Sequence, residues 1–237
     1  MAAQVNASPA VPGEAASPNG DAGSKTRRLA MALAGFTLGI LVVMTVISLA
    51  TGASQEPHEH FALPELYAVG LLEHAGALRA VFALDIAFLV LYTSFFAALA
   101  KYLGEQGRPF VRLALGLMVA TAVLDIIEDH HIVAMLDGAE AGSLPSATEI
   151  LVQSVISSTK FSISYLALVL FGIAIPRVST LGWVLSIFLT AGTLISAVIG
   201  YALPPAAAHG FDQGRWVGFV LGFMLSIAWL RQQPEPA

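Results

Sequence analysis

Cysteine is absent from the 237 residues. That absence excludes disulfides, thiolate metal sites, iron–sulfur clusters and cysteine nucleophiles together, and it leaves the redox compartment unread. Charge is scarce too: 11% of residues are charged and 57% are hydrophobic, whereas soluble domains carry about a quarter charged residues. Water is therefore not the main solvent of this chain. The centres of its apolar runs lack proline, so discontinuous helices are not signalled, and no repeat of soluble type is visible. No nucleic-acid partner is expected. The net charge of −5 carries little weight, because in a membrane chain the sidedness of Lys and Arg matters more than their sum.

What is present is a set of long apolar runs separated by short polar stretches, the pattern of loops joining membrane spans. Residues 1–25 are rich in Ala, Pro, Ser, Gly and Asn and read as a disordered tail. Residues 26–231 read as a transmembrane domain and residues 232–237 as a short C-terminal tail. Six spans are expected, near residues 29–50, 78–103, 110–136, 149–175, 181–203 and 216–230, each long enough at 1.5 Å per residue. The twin arginine Arg27–Arg28 before the first run also resembles an export signal, but the run is longer and more apolar than a signal core. Residues 61–77, with Glu65, Tyr67, Glu73 and His74 among leucines, fit a helix lying at the interface. The expected fold class is all-α: a polytopic membrane helix bundle.

The basic residues assign sidedness. Lys25, Arg27, Arg28, Lys101, Arg108, Arg112, Arg177 and Arg231 fall on one side of a six-span arrangement, which the positive-inside rule makes cytoplasmic, with both termini inside. The expected location is the cell membrane, multi-pass, of bacterial inner-membrane type. Small residues four apart recur at Gly35 and Gly39, at Gly192, Ser196 and Gly200, and at Gly214, Gly218, Gly222 and Ser226. Such stripes let helices approach closely; packing within one bundle is the simpler reading, docking to a second copy or a larger complex the other.

The chemistry is concentrated in the second, third and fourth runs. Asp85 lies in the second; Asp125, Glu128, Asp129, His130 and His131 lie in the third; Lys160 lies in the fourth. A charged side chain at a helix centre costs on the order of 3 kcal/mol on insertion scales, so these groups must be paired, neutralised or wetted. Helical periodicity puts Asp125, Glu128 and Asp129 on one face, His131 beside Glu128, and His130 on the far side. Gln153, Ser157, Lys160 and Ser164 form a stripe on the fourth span that faces protein or water. Matched depths bring Asp125 and Lys160 together, with Asp85 level with Glu128 and Asp129 and Tyr92 deeper. Asp85, Tyr92, Asp125, Glu128, Asp129, His131, Gln153, Ser157 and Lys160 are thus the candidates for solute binding or a proton relay, since clustered carboxylates and a lysine shift one another's affinity for protons. The competing reading is a buried ion pair that fixes helix register.

A second candidate set is metal-ligating. His58 and His60, two apart in an extended loop, point to one side and would share an outer-side divalent metal with Glu128 or His131; the plain alternative is a solvated loop. Glu128-x-x-His131 is half of a di-iron carboxylate motif, but no second copy exists. Haem is disfavoured because histidines sit on only one span, and retinal because its lysine belongs to the last of seven spans. Three functional classes follow: a protein that binds or conducts a proton, cation or small polar solute; a membrane metalloenzyme; or an accessory subunit of a larger complex.

Overall fold

The first apolar run contains no proline or long polar stretch after Arg28, so nothing interrupts the backbone ladder, and one helix, α1, covers Pro18–Thr51. The computed structural model describes the backbone of residues 18–202 and 205–233 and the side chains of 23–202 and 215–233. Residues 1–17 of the expected tail, residues 234–237 and the side chains of His209 and Asp212 lie outside the described residues. Residues 18–25, read from sequence as tail, belong to α1.

After α1 the chain turns at Gly52, whose φ of 77° is costly for a residue with a Cβ. A short 3-10 helix at Glu56–Glu59 leads to α2, Pro64–Glu73. The long helices α3, Ala75–Glu105, α4, Val111–Glu140, and α5, Ala147–Ala174, follow. Next come α6, Thr180–Ile187, a π-helical segment at Phe188–Gly192, α7, Thr193–Ala202, and α8, Pro205–Gln232. No strand occurs among the described residues. The fold is all-helical.

Four helical segments are long and apolar enough to cross a membrane: Gly23–Thr51, Ala75–Glu105, Ala147–Ala174 and Thr180–Ala202. Their outward faces explain the composition. Phe36, Val46 and Leu49 on α1, Val90 on α3, Val155 on α5 and Val198 on α7 are all exposed, an apolar surface far beyond what a soluble monomer shows. The chain is a multi-pass membrane protein. α4 is less apolar because it carries Asp125, Glu128 and Asp129, but these three are buried in the protein while Leu113, Val119, Val123, Ile126 and Ile127 face out. In α2, Tyr67, Ala68 and Leu71 are buried while Leu63, Leu66, Val69 and Leu72 stay exposed.

α3 packs against α1 and α4, α4 against α5, and α8 closes the bundle against α1 and α6. At one end Arg27 of α1 donates to the Gln233 carbonyl just beyond α8, and Arg108 Nε caps α5 by donating to the Ala174 carbonyl at 2.7 Å. At the other end, which carries the 3-10 helix, Arg79 of α3 binds Asp137 at 2.5 Å and Glu140 at 2.7 Å on α4.

Two features depart from the sequence expectation. A Cβ added at Gly35 or Gly39 would meet nothing within 4 Å, so that glycine pair does not mediate packing within the chain. The close approach lies instead at Gly172, where a Cβ would sit 2.8 Å from Thr190 Cγ2 and 2.9 Å from Leu189 Cβ. Second, the fifth run is not a uniform helix, because Phe188–Gly192 is wound as π-helix without any proline to mark it. Ser186 stitches this region to α5 by donating to the Gly172 carbonyl at 2.7 Å. Gly172→Ala is expected to destabilise the protein by about 1–3 kcal/mol, the usual cost of overpacking, read as a lower melting temperature in detergent. An unchanged melting temperature would mean that the π segment yields freely.

Candidate functional site

α5 begins with a reciprocal cap: Ser146 Oγ accepts from the Glu149 amide at 3.2 Å and Glu149 Oε2 from the Ser146 amide at 2.7 Å. This fixes where the helix starts, and Lys160 follows fourteen residues later, about 21 Å along the axis. Its side chain is 6% exposed. The ammonium donates to Asp125 Oδ1 at 2.7 Å, lies 3.0 Å from Glu128 Oε1 and 3.8 Å from Glu59 Oε1. Asp125 and Glu128 are i and i+3 on α4, which is why one lysine reaches both. The meeting of Lys160 and Asp125 agrees with their matched depths in sequence.

Three participants come from segments that no helical pattern singles out. Gln55, in the turn after α1, donates through Nε2 to Glu128 Oε1 at 3.2 Å and to Asp129 Oδ1 at 3.0 Å. Glu59, from the 3-10 helix, sits between Lys160 and Arg215 Nη2, which lies 2.8 Å from Glu59 Oε2. Both cations stack on one ring, Arg215 at 3.9 Å and Lys160 at 4.6 Å from the Phe161 centroid. The 51–63 connection therefore folds into the end of the bundle and completes its polar centre. In the sequence Glu59 belongs to an acidic connection after the first apolar run and Arg215 stands just before the last one; the acidic character of that connection is the only local signal.

Around the same Asp125, carboxylate oxygens of Asp85, Asp125 and Asp129 all lie within 4.8 Å of one another. This places Asp85 level with Asp129 and joins α3 to the same centre. An oxygen-only set of this kind suits a hard cation or shared protons. Glu128 Oε2, Asp129 Oδ2 and the Tyr92 hydroxyl are buried without a hydrogen-bond partner. Five carboxyl groups thus converge with two cations in a region shielded from solvent.

His131, Gln153 and Ser157 form a separate branch. His131 Nδ1 and Gln153 Oε1 are 2.8 Å apart. Gln153 Nε2 donates to Ser157 Oγ at 3.4 Å, and Ser157 Oγ donates to the Gln153 carbonyl at 3.1 Å. His130 turns away, its ring nitrogen 2.8 Å from the Ile126 carbonyl.

The histidine metal set does not assemble. Residues 56–59 are helical, not extended, so His58 is buried with its ring 5.2 Å edge-on from Tyr67, and Tyr67 donates to the His58 carbonyl at 3.0 Å; His60 is exposed. His58, His60, Glu128 and His131 form no group of converging ligand atoms among the described residues, where Asp85, Asp125 and Asp129 do.

No protein-family model, curated protein or solved structure matches this chain. The function must be read from the site.

A cavity of about 340 Å³ opens from this centre. Glu56, Glu59, Asp85, Asp125, Lys160 and Arg215 line its polar end, while Phe95, Phe96, Leu99, Phe188, Leu189 and Phe223 line its apolar end. The walls come from α3, α4, α5, α8 and the π segment.

Burial lowers the His58 imidazole from its ordinary 6.5 to about 4, with Glu59 opposing, so the folded state holds His58 neutral. Between pH 6.5 and 4 the unfolded chain binds the proton more readily than the folded one, and stability falls as pH falls through that window. The loss approaches roughly 3 kcal/mol below pH 4. A His58→Gln variant should lack this part of the acid sensitivity; melting curves of both proteins that decline in parallel from pH 6.5 to 4 would exclude the effect.

Proposed function

We propose that this chain is a six-span integral membrane protein that binds and relays protons through Asp85, Asp125, Glu128, Asp129 and Lys160. The single observation that carries the reading is the contact of one buried ammonium with Asp125 and Glu128, inside a cluster where carboxyls outnumber cations. Ionised carboxylates in a low-dielectric interior are costly without a partner. With Lys160 and Arg215 shared among five acids, the remaining negative charge is most cheaply removed by protons, which neighbouring carboxyls can exchange. Tyr92, seven residues below Asp85 on the same face of α3, extends the path toward the bundle centre, and its unpartnered hydroxyl can accept or pass a proton.

The six-span count takes α4 and α8 as spans besides the four apolar segments. Lengths of 30 and 28 residues exceed the hydrocarbon thickness, and the α4 acids face protein rather than lipid. The basic residues at the end opposite the 3-10 helix make that end cytoplasmic, which puts the polar mouth of the cavity on the outer side.

A purely structural ion pair predicts a different outcome from a relay, and three variants separate them. Lys160→Met alone is expected to destabilise the detergent-solubilised protein by about 3–5 kcal/mol, because it strands buried acids. Asp125→Asn with Lys160→Met should restore much of the melting temperature yet abolish proton flux into proteoliposomes carrying a pH dye. If the double variant transports protons like the parent protein, or the parent shows no flux above empty vesicles, the relay reading fails.

A further inference from the structure

The cavity beside the cluster is more than a hydrated vestibule. From Asp85 to Leu99 its α3 wall runs fourteen residues, about 21 Å at 1.5 Å per residue, and along that length the lining changes from carboxylates to phenyl rings. A water path needs no such gradient; an amphiphile does, because its apolar part finds its solvent at one end and its head finds hydrogen-bonding and charged groups at the other.

The charges at the polar end decide the sign of the head. Both cationic side chains there are engaged, Lys160 by Asp125 and Glu128 and Arg215 by Glu59, and both cover the Phe161 ring. Asp85 is 6% exposed and lies among other carboxylates, with no cationic side chain in salt-bridge contact among the described residues. One and two turns deeper, Phe88 and Tyr92 continue the same wall. Tyr92 lines the cavity, and its hydroxyl is buried and lacks a partner. Aromatic faces attract cations, more strongly when water is excluded. An acid, an unfilled hydroxyl acceptor and aromatic faces in sequence down one wall form a cradle for positive charge, whereas an anionic head would meet an excess of carboxylate.

From this cavity we infer a second property of the protein: it is a binding site for lipophilic cations, molecules with one positively charged head set against Asp85 and Tyr92 and an apolar body held among Phe95, Phe96, Phe188 and Phe223. The π segment supplies part of the wall through Phe188, Leu189 and Gly192. π-helical turns interrupt the regular ladder and recur at ligand sites, so this wall is the one that adjusts to different apolar bodies. The inference is independent of proton relay, because it concerns equilibrium occupancy of the cavity and requires no gradient.

The test is equilibrium binding of radiolabelled tetraphenylphosphonium to the purified full-length protein in lipid nanodiscs, with empty nanodiscs measuring partition into lipid. Saturable binding above that background is expected, displaced by dodecyltrimethylammonium but not by dodecanoate. Asp85→Asn should weaken it at least about tenfold, as loss of one partner of a buried charge pair does. Gly218 lines the cavity, and a Cβ there meets nothing within 4 Å, so Gly218→Leu adds bulk at the cavity wall from an unobstructed position and should abolish binding while the protein remains monodisperse and melts normally. Binding no greater than in empty nanodiscs overturns the inference. So does equal displacement by dodecanoate, or binding that neither Asp85→Asn nor Gly218→Leu alters.

Discussion

A lysine ammonium held between two carboxylates of the neighbouring helix is the contact on which the arrangement of this molecule depends. Lys160 cannot face lipid, and Asp125 and Glu128 cannot be left alone in the interior, so α4 and α5 are locked in rotation and in axial register by the same requirement. Any slip of one helix past the other would strand a buried charge. The outward faces of α4 and α5 then carry mostly apolar side chains such as Val123, Ile127, Leu151, Val155 and Leu166, and the exposed hydroxyls Ser158, Thr159 and Ser162 donate back to carbonyls of their own helix.

The same requirement explains why the connection after α1 does not remain a solvated loop. One lysine cannot satisfy two acids, a neighbouring aspartate and their remaining lone pairs. Gln55 supplies amide hydrogens to Glu128 and Asp129, and Glu59 brings Arg215 of α8 into the network. Gly52 permits the turn that sends this segment inward, and Tyr67 of α2 holds the His58 backbone in place. The polar network thus joins α3, α4, α5, α8 and the 51–63 segment, and it leaves a cavity whose acidic mouth and aromatic floor follow from the elements it has gathered.

Where sequence reasoning fell short, the reasons are physical. His58 and His60 were placed on one side because an extended backbone alternates its side chains; a single 3-10 turn changes that period and separates them. The Gly35 and Gly39 pair has the spacing for close packing, yet spacing does not tell which face of α1 meets the bundle. The π segment at Phe188–Gly192 has no proline or polar insertion to announce it, since its winding is set by contact with α5 across Gly172.

Composition and periodicity alone determined that the chain is a bundle of membrane helices, where its central helices α3, α4 and α5 lie to within a few residues, and that Asp125 and Lys160 would meet; the starts of α1 and α8 lie about ten residues earlier than hydropathy alone marks them. These properties depend on local hydrophobicity and on the fixed rise of a helix, which a linear reading contains. Tertiary structure alone decided that Gln55, Glu59 and Arg215 complete the centre, that the histidines stand apart from it, and that a cavity descends from Asp85 between five helices. Those are matters of how separate segments share one space, and the energy that selects among them is the cost of leaving a charge unmatched where water does not reach.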